Sequence, residues 1–188
     1  MIAHSQILDV IDLYSARFPE RAPVLDPLRA LLADGADVTS RSEFRGHITV
    51  GAVALDAERR LLLIRHRALD RWLMPGGHLE TVDRTLLGAA ARELAEETGI
   101  APDLVSVPVA WHEIPIHIDR HVIPANPSKG EPSHEHWDFR FLLHAVDHTI
   151  ELQTEEVLDA AWREPSAHSE IVAAAIRAAA PLTPLSLR

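Results

Sequence analysis

Glu93, Glu96 and Glu97 crowd three carboxylates onto a short stretch of chain, with Arg92 beside them. At about 100° per residue they fall within an arc of about 100° on one side of a helix. Like charges at these spacings destabilise a helix by about 0.2–0.5 kcal/mol per pair, and one arginine relieves only part of that. A divalent cation held among them would reverse the sign. A solvated acidic face has the same local pattern, so the surrounding residues must decide between the two.

Ahead of these acids stands Pro75-Gly76-Gly77, where bare backbone can approach an anion or offer a carbonyl to a metal. Cysteine is absent from the 188 residues, which removes disulfides and thiolate metal sites and leaves carboxylate, imidazole, carbonyl and water as ligands. Such oxygen-rich donors suit magnesium, manganese or calcium. A formal charge of -10 repels polyanions, so no nucleic-acid polymer is expected as a partner. A small phosphorylated ligand remains compatible, because bound cations neutralise acidic side chains and phosphate oxygens together.

These residues need a helix and a loop to position them. The pattern predicts a helix from about Arg84 to Thr98, closing at Gly99, with Leu87, Ala91, Leu94, Ala95 and Thr98 turned toward a sheet. Gly88, Ala89, Ala90 and Ala91 permit close packing there. Upstream, HITVGAVALD and RRLLLIRH read as a hairpin joined through Asp56-Ala57-Glu58. Downstream, strand-like segments cover Leu104 to Ile118 and His134 to Val146, and are expected to pair as a second hairpin across PANPSKGEP. Val157 to Trp162 reads as a further strand and Glu170 to Ala179 as an Ala-rich helix stopped by Pro181. Two amphipathic helices, Ser5 to Phe18 and Val24 to Leu32, lead the chain. Strands on both sides of a central helix predict an α/β (α+β) fold with a mixed sheet packed between helices.

The segment GGHLETVDRTLLGAAARELAEETGI resembles the Nudix box: Gly, five residues, Glu, seven residues, then Arg-Glu-aliphatic-x-Glu-Glu-x-Gly-aliphatic. The second half matches in full from Arg92 to Ile100. In the first half Asp83 stands where Glu is expected, and eight residues rather than seven separate it from Arg92. In the family that Glu braces the loop through the box arginine, so Asp83 either makes this brace or caps the helix. The flanking LLLIRHRALDRWLMPGG and TEEVLDAAW are similar to segments that surround Nudix boxes.

The resemblance implies a Nudix-type α/β/α sandwich at residues 46–182 preceded by a helical extension at 1–45, which would serve as a lid or a homodimer contact. It implies a hydrolase that cleaves a diphosphate linkage in a nucleoside diphosphate derivative or related small molecule. Glu93, Glu96, Glu97 and the Gly77 carbonyl would hold Mg2+ or Mn2+, with Arg92 part of the catalytic machinery. The general base is expected at Glu97, with Glu96 and the late-loop Glu155 and Glu156 as alternatives. A Nudix-fold ligand sensor without hydrolytic activity is the rival reading. An isoprenoid diphosphate isomerase on this fold would need a cysteine.

Arg65, His66, Arg67 and Arg71 form a basic cluster before the glycine loop and would hold a second phosphate or end in water. His134, His136, Asp138 and Arg140 alternate with Trp137, Phe139 and Phe141, so a strand there carries one polar face. That face would line the substrate cleft, through His136 and Asp138 above all, or meet solvent. His-x-His-x-Asp is also a pattern that transition metals accept. Trp72 is expected to pack near the loop, and His112, His117 and His121 carry no recognisable spacing. The opening residues lack a basic start and an apolar run, and no stretch is long enough to span a membrane, so a cytoplasmic protein is expected.

Overall fold

A computed structural model describes residues 2–145, 150–153, 155–165 and 184–186, the last three by their backbone. The helix expected over Glu170 to Ala179 lies outside these residues, as does Val146.

Strand β1 (His47–Leu55) is buried along its whole length, as befits a strand with neighbours on both edges and layers on both faces. It runs parallel to β7 (His134–Ala145), in register from His47 opposite His136 to Leu55 opposite His144. The expected first hairpin is present but opens at once. β2 (Leu61–His66) meets β1 only at Leu55 and Leu61, and then pairs with β3 (Arg71–Leu73) and β8 (Val157–Arg163). The vacated edge of β1 takes β4 (Gly76–His78), with Val50 opposite Gly77 and Gly51 opposite Gly76. This exchange lays the glycine loop against the centre of the sheet. Asp56 shapes the turn, its carboxylate accepting from the Arg60 backbone N–H at 2.7 Å and from Arg60 Nε at 2.6 Å.

The segment from Leu104 to Ile118 is not one strand. β5 (Val105–Pro108) ends at a proline that cannot donate to a ladder, a short 3-10 turn covers Val109–Trp111, and β6 (His117–Ile123) begins after Pro115. β6 makes the expected hairpin with β7, His117 opposite Arg140 and Ile123 opposite His134, while β5 pairs with β7 farther along at Val105 and Ala145. β9 (Pro184–Ser186) adds to the outer edge of β5.

Helix α1 (His4–Arg17) buries Ile7, Ile11 and Tyr14, one stripe at helical spacing. The second helix begins later than the pattern predicts: Pro19–Leu25 forms a 3-10 turn and α2 runs over Asp26–Ala33, burying Leu28 and Leu32. These helices share one continuous core with Ile48, Val50, Leu94, Trp137 and Phe139 of the sheet and α3 (Leu86–Thr98). Tyr14 Oη accepts the Ile118 N–H at 3.3 Å and Arg21 donates to the Ile118 carbonyl at 3.2 Å, pinning the leading segment to β6. Among the described residues no helix is long and apolar enough to cross a membrane.

Candidate active site

The acidic helix starts at Thr85, whose hydroxyl accepts the Gly88 N–H at 2.9 Å, and ends at Gly99 in the left-handed region at φ 73°. Thr85 thus takes the capping role and frees Asp83 for the brace. Asp83 grips Arg92 with two contacts, Nε to Oδ1 at 3.0 Å and Nη2 to Oδ2 at 3.1 Å, and accepts the Glu80 N–H at 2.7 Å. Arg92 also donates to the His78 carbonyl at 3.0 Å, to Glu93 at 3.1 Å and to Glu96 at 2.7 Å. One planar guanidinium therefore ties the loop to the helix and orients two of the three acids.

Glu97 is only 4% exposed and accepts the Gly76 N–H at 2.9 Å. Burial pushes its carboxyl up to about 8, against the Gly76 hydrogen bond and with help from Glu93, Glu156 and Glu96. Burial likewise raises Glu93 to about 7, although Arg92 pulls it back. Glu96 stays half-exposed on Arg92. A Cβ on Gly77 would sit 2.7 Å from Glu93 Oε1, so a bare backbone here is what lets the carboxylate lie against the loop.

This arrangement fits a hard divalent cation. The donor set is all oxygen, as magnesium and manganese prefer, and the carboxyls of buried Glu97 and half-buried Glu93 keep a raised proton affinity even though Arg92 touches Glu93.

The NUDIX domain family model matches residues 45–183. The chain belongs to the Nudix hydrolase family. As a Nudix hydrolase it falls in the enzyme class acting on phosphoric anhydrides. It is 34% identical over 119 residues to a probable DHNTP pyrophosphohydrolase of Lactococcus lactis, covering 61% of this chain and 67% of that protein. It is 47% identical over 60 residues to the phosphatase NudJ of Escherichia coli, covering 31% of this chain and 38% of NudJ. The fold is that of the E. coli dihydroneopterin triphosphate pyrophosphohydrolase, with a TM-score of 0.52 at 19% identity over 70% of this chain and 92% of that one. A Nudix-family hydrolase from Clostridium perfringens has a TM-score of 0.51 at 20% identity, over 70% and 97% of the two chains.

Around the Nudix helix the other expected residues are placed unequally. Glu155 and Glu156 are exposed in the late loop, and Glu156 lies near enough to Glu97 to add to its rise. The Glu156 carbonyl accepts the Arg67 N–H at 2.7 Å, joining the late loop to the end of β2. Arg65 pairs with Asp70 at 2.6 Å, so part of the basic cluster is neutralised within its own turn. Arg71 stands opposite His66 at the start of β3. Trp72 is half-buried, with the Arg163 guanidinium 4.2 Å from its ring centre.

The alternating polar face of β7 is real and is shared across strands. Thr49 stands opposite Asp138, and Asp119 of β6 opposite it on the other side. Arg140 donates to Asp138 at 2.9 Å and reaches Asp119 at 3.4 Å, which uses much of the charge on that face internally. Next along, His136 lies between His47 and His121. His47 and His78 escaped notice in the sequence because nothing in their spacing ties them to residues 134 and 136. The structure gathers all four rings, with His47 to His136 centroids 4.5 Å apart and His47 to His134 5.0 Å apart. Burial, reinforced by the neighbouring imidazoles, holds His136 down to about 3.

Proposed function

We propose that this Nudix hydrolase cleaves a diphosphate linkage in a nucleoside diphosphate derivative or a related small molecule, with Mg2+ or Mn2+ as cofactor. The observation that carries this reading is the pair of acids, half-buried Glu93 and buried Glu97, held against Gly77 and Gly76 with their carboxyls raised to about 7 and about 8. Glu93, Glu96 and Glu97, with the Gly77 carbonyl, would hold the cation. Such a cation, when bound, withdraws charge from a diphosphate oxygen and lowers the pKa of a bound water.

The chain's own groups do the rest. Arg92 fixes the loop to the helix and keeps Glu93 and Glu96 in place. Glu97, one oxygen on the Gly76 N–H, takes the proton from the attacking water, with Glu96, Glu155 and Glu156 as the alternative bases. His136 and Asp138 line the substrate side of the sheet, and Arg67 and Arg71 meet the second phosphate. A braced loop and a full set of box acids speak for hydrolysis over a sensor that only binds.

The test incubates purified protein with nucleoside triphosphates, ADP-ribose, dinucleotide polyphosphates, sugar nucleotides and dihydroneopterin triphosphate. The last is included because of the names that two relatives carry. Released phosphates are followed with and without Mg2+ or Mn2+, beside a Glu96→Gln, Glu97→Gln double variant. Metal-dependent turnover lost in the variant is expected. Nucleotide and metal binding without turnover on any compound would overturn hydrolysis in favour of the sensor.

A further inference from the structure

Three imidazoles, one on β1 and two on β7, meet where these strands begin. His47, His134 and His136 each offer a ring nitrogen, and these nitrogens all lie within 4.8 Å of one another. His47 and His134 are buried and His136 is half-buried.

Their hydrogen bonds decide what the rings present. His47 Nδ1 lies 3.2 Å from the Glu43 carbonyl, and His134 Nδ1 lies 2.8 Å from the Pro132 carbonyl. A carbonyl only accepts, so in both rings Nδ1 carries the hydrogen and the neutral imidazole leaves a lone pair on Nε2. Both are thus fixed in the tautomer of a metal ligand whose far nitrogen is anchored by the backbone. His47 Nε2 is buried and has no hydrogen-bond partner among the described residues, a cost that a bound ion would remove. His134 Nε2 faces His136 Nε2 at 3.2 Å. Two nitrogens about 2.0–2.1 Å from one tetrahedral ion stand about 3.3 Å apart, so this pair already has the spacing of adjacent ligands.

We propose that His47, His134 and His136 form a second metal site, distinct from the carboxylate centre, that takes a borderline transition-metal ion of the zinc type. Imidazole nitrogens without thiolate or carboxylate suit zinc, cobalt, nickel or copper and are poor ligands for magnesium. His78 stands beside the three, its ring centre 5.2 Å from that of His47 and 5.3 Å from that of His136. The ion would staple the start of β1 to the start of β7, beside the strand that carries Gly77. This inference stands on the imidazole geometry alone and does not depend on the hydrolytic reading.

The test uses the full chain without an affinity tag, freed of metal by chelation and held in excess Mg2+ so that the carboxylate centre is occupied. Titration with Zn2+ by calorimetry should give one ion per chain, with Co2+ producing the visible bands of a four-coordinate site. Affinity should fall at least tenfold in His134→Gln and in His136→Gln, and change less than twofold in a Glu93→Gln, Glu97→Gln variant. In the wild-type protein, zinc should shift the side-chain nitrogen resonances of His47, His134 and His136 while leaving those of His66 and His112 in place. That readout stands even where a variant fails to fold. Absence of zinc binding, resonances that do not move, or affinity that follows the glutamates instead of the histidines would each overturn the site.

Discussion

Asp83 and Arg92 form a two-contact ion pair, 3.0 and 3.1 Å, across the extra residue at the junction of loop and helix. The shorter acid and the longer spacing offset each other, and the pair closes with Asp83 almost wholly buried. Without Asp83, Arg92 keeps Glu93, Glu96 and the His78 carbonyl, but the Glu80 N–H is left unsatisfied, at a typical cost of about 1–3 kcal/mol. Asp83→Ala should therefore lower stability by about that amount in urea unfolding, since the Glu80 N–H and Arg92 both lose an acceptor. With the loop loosened from the helix, turnover should fall by about 100-fold. A neutral effect on both quantities would mean that the brace is ornamental.

Gly76 and Gly77 should respond differently to the same methyl group. A Cβ on Gly76 would run into the Val50 carbonyl and come within 2.9 Å of Gly51 Cα, backbone that cannot step aside. The atoms nearest to a Cβ on Gly77 are those of the Glu93 carboxylate, the end of a side chain that can swing away. Gly76→Ala is expected to lower the melting temperature sharply, and Gly77→Ala to leave the fold nearly as stable but weaken Mn2+ binding about tenfold or more. Differential scanning calorimetry and a manganese titration on each variant check this, and equal losses of stability would contradict it.

Which parts of this architecture can be read in sequence follows from how local their causes are. The helix over Leu86–Thr98, its stop at Gly99 and the clustering of its acids depend on neighbours within a few residues, so periodicity and box spacing carry them. The cap at Thr85 was hidden because Asp83 is the stronger capping residue by type, and only the position of Arg92 shows that its carboxylate is engaged elsewhere. Strand exchange at the edge of β1 depends on non-local pairing. Alternation predicts that Leu61–His66 is a strand but not that β4 displaces it from β1. Pro108 and Pro115 could have divided the long segment before β6 on backbone chemistry alone. The histidine cluster is the least legible feature, because a parallel register between strands nearly ninety residues apart (47 and 136) is what joins it.

The cap itself is open to test. Thr85→Ala removes an acceptor from the Gly88 N–H at the exposed start of α3, which costs about 1 kcal/mol in comparable helices. Thr85→Ser should recover most of that stability, and Thr85→Asp should do at least as well. The cap lies only two residues beyond Asp83, so the alanine variant should also loosen the brace slightly. A change in unfolding free energy below about 0.3 kcal/mol would show that the helix start is held by the loop rather than by its cap.

The raised carboxyls set a direction for pH dependence. Glu93 and Glu97 titrate at about 7 and about 8 in the folded protein, against an ordinary value of 4.5. Between pH 4.5 and 8 the folded state therefore holds protons that the unfolded chain has released, and stability falls as pH rises through that window. For the metal-free protein these two groups favour the fold most below about pH 4.5, and their penalty is complete above about pH 8. Glu97→Gln should flatten the pH dependence of the melting temperature between pH 5.5 and 8.5 relative to the wild type. Binding of Mn2+ demands the ionised acids, so it should release protons near pH 6.5 and stabilise the protein more at pH 8 than at pH 6. Calorimetric titrations in buffers of different ionisation enthalpy measure that proton count. A count of zero at pH 6.5 would show that both acids are already ionised before the metal arrives, and that burial costs them less than the geometry implies.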